Sequence, residues 1–231
     1  MTTRKTGRKK PARDALASGR SLTDRAYGHL EEMIVTLQLP PGSAVSETAL
    51  SQRLGIGRTP IREALQRLAR ERLVTILPRR GIIVSEINVK SQLRLLEARR
   101  EVERLVAKSA ARRATPEERA HFLDLARRFE SSAKTNDEVA FMRVDREFNE
   151  LSVAAARNEF AAGAMGLMHS LSRRFWFIHY KQAADMPLTA KLHADVARAV
   201  AAGQEAAAGK AMDRLLDAVT KFTRDTVTTD F

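Results

Sequence analysis

The sequence predicts a mainly α chain, with an N-terminal module of three helices and a β-hairpin joined to an all-helical antiparallel bundle. Three observations carry that prediction. Apolar residues recur at helical spacing after residue 20, as at Ala26, Leu30, Ile34 and Leu37. The period shortens only in VTILPRRGIIVSEI, where two β-rich runs flank a turn. Beyond Asn88, alanine-rich stretches with few β-branched runs favour helix throughout.

The elements follow in order. Residues 1–20, MTTRKTGRKKPARDALASGR, set seven Lys/Arg against Asp14 and so carry half of the net charge of +12. A segment this polar cannot build a core and is expected to be a disordered basic tail. No apolar run follows its charged start, so it does not read as a secretory signal. SLTDRAYGHLEEMIVTLQLPPG reads as a helix capped by Ser21 or Thr23 and ended by Pro40-Pro41-Gly42. SETALSQRLGIG reads as a short helix capped by Ser46, with Ala49, Leu50 and Leu54 inward and Gly55 as its stop. RTPIREALQRLARERL is a third helix; Pro60 falls in its first turn, where a missing N–H costs no bond, and Ile61, Leu65, Leu68 and Leu73 point inward. Val74–Leu77 and Ile82–Ser85 form a hairpin around PRRG.

Helix, helix–turn–helix, hairpin is the order of a winged helix-turn-helix domain, assigned to residues 21–86. Residues 87–231 are expected to form a second domain, with helices near 89–113, 115–134, 136–156, 158–181, 187–202 and 204–228.

Composition narrows the function. With no cysteine there is no disulfide and no thiolate metal site, which fits a reducing cytoplasm. No apolar run approaches the roughly 18 residues of a membrane helix, so no membrane role is expected. HExxH, GxSxG, a phosphate-cradling glycine loop and a cysteine nucleophile are all missing, so the expectation is not an enzyme.

A helix-turn-helix presents the first residues of its second helix to base edges in the major groove. Here these are Arg58, Thr59, Pro60 and Arg62. A guanidinium suits guanine O6 and N7, while the Thr59 hydroxyl and the free N–H groups of that turn suit phosphate. Arg79 and Arg80 at the hairpin tip suit a minor groove or the backbone. The bland alternative is an arginine-rich solvated face. A further alternative is an architectural or non-specific nucleic-acid binder driven by the basic tail, with a steep salt dependence and little sequence preference.

Residues 21–86 resemble the DNA-binding domain of the GntR transcriptional regulators, on LQLPPGSAVSETALSQRLGIGRTPIREALQRLARERLV followed by PRRGIIV. The resemblance implies contacts to double-stranded DNA from Arg58, Thr59, Pro60 and Arg62, from the wing at Arg79, Arg80 and Gly81, and from Thr48. Two positions depart from the pattern: Gly57 stands where the family usually has Ser or Thr, and Arg72 where it usually has Gly. The second departure threatens a costly left-handed residue.

Residues 89–229 resemble the FCD domain of the FadR-like branch, on LLEARREVERLVAKSAARRATPEE, DREFNELSVAAARNEF and HADVARAVAAGQEAAAGKAMDRLLDAV. Many members hold a divalent metal with an Asp, a His four residues later and two further His, beside a carboxylate-type effector. The corresponding positions are Asp145, Asn149, His193 and Leu215, of which only Asp145 and His193 are metal ligands, and weak candidates as a pair. No cofactor is therefore expected. His169 and His179 could substitute spatially, although a hydrogen-bonded core or surface role suits each of them better.

The effector pocket is expected to persist as Arg99, Asp145, Asn149, His193 and one of Arg173 or Arg174, with Arg174 preferred; Arg99 could instead pair with Glu103. The expected function is a cytoplasmic, homodimeric transcription regulator. It would be a repressor on a pseudo-palindromic operator, released or modulated by a small carboxylate.

Overall fold

The structure, a computed structural model, describes residues 21–77, 79, 81–183 and 185–228. The expected basic tail, residues 1–20, and Arg80 lie outside the described residues.

Helix α1 (Leu22–Val35) starts where the Ser21 side chain accepts the Asp24 N–H. It stops two residues before Leu37, the expected last member of its apolar repeat, because Leu37 turns the chain with φ 60°. β1 (Ala44–Val45) follows the Pro-Pro-Gly turn. α2 (Glu47–Leu54) is capped by Ser46 and ends at Gly55, whose φ of 64° suits the residue without a side chain. α3 (Arg58–Arg70), β2 (Val74–Leu77) and β3 (Gly81–Val84) complete the module. The sheet order is β1-β3-β2, antiparallel throughout, with Thr75 opposite Ile83 and Ala44 also opposite Ile83 on the other edge. The two-residue β1 was not foreseen; it is too short to show alternation. Leu30, Ile34, Ile61, Leu65, Leu68, Leu73 and Val84 close over one core. Each such side chain, fully buried, contributes roughly 1.5–3 kcal/mol.

The bundle comprises α4 (Val89–Arg113), α5 (Pro116–Thr135), α6 (Glu138–Ala156), α7 (Glu159–Gly166), α8 (His169–Ala183), α9 (Met186–Ala201) and α10 (Glu205–Thr228). Its breaks have local causes. Thr115 and Glu118 form a reciprocal capping box at the start of α5, and Asn136 ends that helix in a left-handed conformation. Asn158 and Asp185 cap α7 and α9. One expectation is corrected: the single helix near 158–181 is two. Past Gly163 and Gly166 the last turn tightens, with the Leu167 N–H on the Ala164 carbonyl and the Met168 N–H on that of Met165, and α8 starts afresh at His169.

α5 packs along α9 and α4 along α10, around Phe122, Phe129, Phe148 and Phe175. α1 packs on α3 within its own module and on α8 across the junction, where Leu171 meets the N-terminal core. No helix among the described residues is long and apolar enough to cross a membrane.

Candidate nucleic-acid interface and effector cavity

α3 has two faces. Ile61, Ala64, Leu65 and Leu68 are buried, while the side chains of Arg58 and Arg62 are 63% and 55% exposed. Thr48, Arg58, Arg62, Arg79 and Gly81 line one concavity of about 570 Å3 between α2, α3 and the wing. Thr59 is exposed and Pro60 half-buried in the same first turn of α3. Gly81 has φ 100° and Arg79 has φ 62°, so the hairpin tip turns through left-handed backbone on both sides of Arg80. Gly57 caps α3 without a side-chain bond, which leaves the first N–H groups of the helix to an outside acceptor.

Glu47 holds Arg62: Nε and Nη2 donate to its carboxylate at 3.0 and 2.8 Å, and Arg58 stands 4.0 Å away. The Arg62 hydrogen bonds keep the Glu47 carboxyl below its ordinary pKa. Nη1 of Arg62 has no intramolecular acceptor among the described residues. The arginine is thus held in place with one donor edge still open. Gln66, one helical turn beyond Arg62, lines the same concavity and was missed in the sequence. The i, i+4 spacing from Arg62 could have found it.

In the bundle, Arg99 on α4, Asp145 and Asn149 on α6, and His193 on α9 line a cavity of about 50 Å3 with Trp176 and Arg173 of α8. Asp145 is the hub. Its Oδ1 lies 3.3 Å from His193 Nε2; its Oδ2 lies 3.1 Å from Arg173 Nε and accepts from Asn149 Nδ2 at 3.2 Å. Burial raises the Asp145 pKa, but the His193 hydrogen bond and the charges of His193 and Arg173 outweigh it and hold the carboxyl below its ordinary value. His193 Nδ1 donates to the Thr189 carbonyl at 2.8 Å, and the ring sits 4.8 Å from Phe129 and 5.6 Å from Phe141.

Arg173 reaches further. Its Nη1 donates to Glu31 of α1 at 2.5 Å and its Nη2 to the Met142 carbonyl at 2.9 Å. Glu31, 2% exposed, also holds Arg146 at 3.2 Å. A chain of buried charges therefore runs from the bundle cavity to the first helix of the N-terminal module. Glu31 was missed in the sequence, although it falls four residues after Tyr27 and three before Ile34, on the apolar face.

Arg174, preferred in the sequence reading, does not join the cavity: it donates to the Ser85 and Glu86 carbonyls at 2.8 and 3.1 Å. Consecutive helical residues point about 100° apart, so Arg173 faces the bundle interior and Arg174 the linker. Arg99 lines the cavity and pairs with Glu103 at 2.6 Å; Glu103 also holds His169 at 3.3 Å. His179 lies against the ring of Phe175.

The donor set does not fit a zinc or nickel ion. Asp145 and His193 supply two ligands, Asn149 turns its amide N–H toward Asp145, and Leu215 is buried hydrocarbon. The Arg173 guanidinium also stands against the Asp145 carboxylate, where a second cation would be repelled. Among the described residues no group of three or more His, Cys, Asp or Glu side chains is placed to hold a metal.

Comparison with known proteins gives the family. The family model described as "Bacterial regulatory proteins, gntR family" matches residues 22–84, and that of the FCD domain matches residues 94–218. An HTH-type transcriptional regulator in an unstable DNA locus of Streptomyces ambofaciens is 42% identical over 74 residues, which span 32% of this chain and 31% of that one. The Nta operon transcriptional regulator of Aminobacter aminovorans is 30% identical over 149 residues, 64% of this chain and 69% of that one. The solved structure of McbR from E. coli superimposes with a TM-score of 0.77 at 18% identity, covering 90% of this chain and 99% of that one, and shows the same fold. The chain belongs to the gntR family of bacterial regulatory proteins and carries an FCD domain: it is a DNA-binding transcriptional regulator, not an enzyme.

Proposed function

We propose that this regulator is a cytoplasmic, homodimeric repressor of a pseudo-palindromic operator, released or modulated by a small organic acid bound in the cavity around Asp145. Arg62, Arg58 and Thr59, with Pro60 setting the turn, read each half-site. Thr48, Arg79, Arg80 and Gly81 fix the domain on the duplex. The dimer contact falls on α4 and α7, which pack together and carry Leu105 and Phe160, large apolar side chains 48% and 82% exposed.

The observation that carries the reading is Arg173, bonded at once to Asp145 in the cavity and to Glu31 in the N-terminal module. A carboxylate entering the cavity meets Arg99 and Arg173, both already paired, and must compete with Glu103, Asp145 and Glu31 for them. Drawing Arg173 toward the ligand weakens its hold on α1. Binding thereby favours a different placement of the DNA-binding domain, by as much as the ligand's affinity differs between the two placements.

The test begins with an operator enriched from random duplexes by the full chain, followed by titration with a panel of small carboxylates. A carboxylate that lowers operator affinity in the wild type, but not in an Arg99→Ala protein that still binds operator, supports the reading. Normal release of the Arg99→Ala protein would make Arg99 a structural partner of Glu103 and remove it from the site. Deleting residues 1–20 tests the tail-driven alternative: discrimination between operator and random DNA should survive the deletion, and its collapse would favour a non-specific binder.

A further inference from the structure

A second and much larger cavity, about 550 Å3, lies where the two domains meet. The end of α3, the β3–α4 linker, the start of α4 and the α7–α8 corner wall it. One side is apolar, with Leu95, Leu171 and Phe175; the other is basic, with four arginines facing one acid, Glu86. Nothing in the DNA interface or the Asp145 cavity uses this space.

Two of its arginines are unusual. Arg174 is 2% exposed, yet no carboxylate stands within ion-pair distance of it among the described residues. Its two terminal nitrogens reach only the neutral Ser85 and Glu86 carbonyls, and its buried Nε has no acceptor. Burial, only partly offset by the charge of nearby Glu86, pushes its pKa down to about 10. Its neighbour Arg173, also buried, has two carboxylates. A desolvated guanidinium whose hydrogen-bond partners are all neutral carbonyls, with no carboxylate in contact, is an unmet electrostatic demand. Arg72 holds φ 60°, a conformation costly for an arginine, and it lines the same cavity.

We propose that the junction cavity is a second ligand site, which takes a small amphipathic carboxylate with its head on Arg174 and Arg72 and its body against Leu95, Leu171 and Phe175. A singly charged head on a hydrocarbon body matches one buried guanidinium beside an apolar wall. A strongly hydrated phosphate dianion would leave that wall bare. Because both domains contribute walls, a bound ligand sets the angle between them directly, independently of the Asp145 cavity.

The probe is 2-naphthoate, titrated by calorimetry into the full-length protein, with uncharged 2-naphthamide and inorganic phosphate as controls. Naphthoate should bind at least about tenfold more tightly than the amide, and phosphate should not displace it. Arg174→Gln should weaken binding by about tenfold or more. Leu95→Trp, which fills the cavity and touches no charge, should do the same if Arg174→Gln fails to fold. Binding kept in Arg99→Ala but lost in Leu95→Trp assigns naphthoate to the junction, whatever the fate of the Asp145 reading. The opposite pattern, equal affinity in wild type and Leu95→Trp, or no binding at millimolar naphthoate overturns the proposal.

Discussion

Replacing Arg173 with methionine keeps an unbranched apolar stem in the bundle and deletes only the guanidinium. That group holds Glu31 at 2.5 Å, Asp145 at 3.1 Å and the Met142 carbonyl at 2.9 Å. Its loss leaves Glu31 with Arg146, and Asp145 with His193 and Asn149. Removing one partner from a buried ion pair costs roughly 3–5 kcal/mol, and these remaining partners put the loss at the lower end, about 3 kcal/mol. For a chain of this size each kcal/mol moves Tm by about 2–4 °C, so scanning calorimetry near pH 7 should show a fall of roughly 6–12 °C. The double variant Arg173→Met/Glu31→Gln should lose less than the sum of its two single variants, because each single change already breaks the same ion pair. A loss under about 1 kcal/mol, with the two single losses simply adding in the double variant, would show that the guanidinium is not the buried link between the domains.

Three other outcomes are expected. Asp145 and Glu103 both titrate below their ordinary values: burial raises each, and His193 and Arg173 for the first, Arg99 and His169 for the second, outweigh it. Their contribution is therefore full above the unfolded carboxylate values of about 4 and is lost as pH falls through the lower folded values. Denaturation midpoints should hold flat from neutrality to about pH 5 and drop in acid, and an acid limb unaltered by Asp145→Asn with Glu103→Gln would refute this. Arg72→Gly relieves a left-handed arginine but frees the unfolded chain, for a net gain of about 0.5–1 kcal/mol in urea melts; a loss would mean that the Arg72 side chain holds more than the strain costs. Metal analysis of protein purified without chelator should find well under one equivalent of zinc or nickel, and a near-stoichiometric metal would show that Asn149 is not the weak point it is taken to be here.

Much of the fold was legible because it is locally encoded. Ser46, Thr115 and Asn158 cap their helices through their own side chains, Gly55 ends α2 in a left-handed turn, and Pro60 sits in the first turn of α3 where no N–H is needed, all short-range effects. What escaped was of two kinds. β1 is two residues long, and the corner between α7 and α8 rests on weak helix formers, so neither leaves a periodic trace. The site was legible by type but not by direction. Arg99, Asp145, Asn149 and His193 were read as one cluster and line one cavity, whereas the choice between Arg173 and Arg174 depended on helix phase against two domains at once. Arg72 shows the reverse: the departure from glycine was visible in the sequence, and the left-handed backbone it implied is present at φ 60°.

The measurement closest to the centre of the account compares wild type and Arg62→Ala on the selected operator and on a scrambled duplex, at one salt concentration. Arg62 lines the concavity between α2, α3 and the wing, held by Glu47. A base-reading guanidinium predicts a roughly 5- to 150-fold loss on the operator, with little change on scrambled DNA. Equal losses on both duplexes would make Arg62 a phosphate contact and leave the first turn of α3 without its reading role.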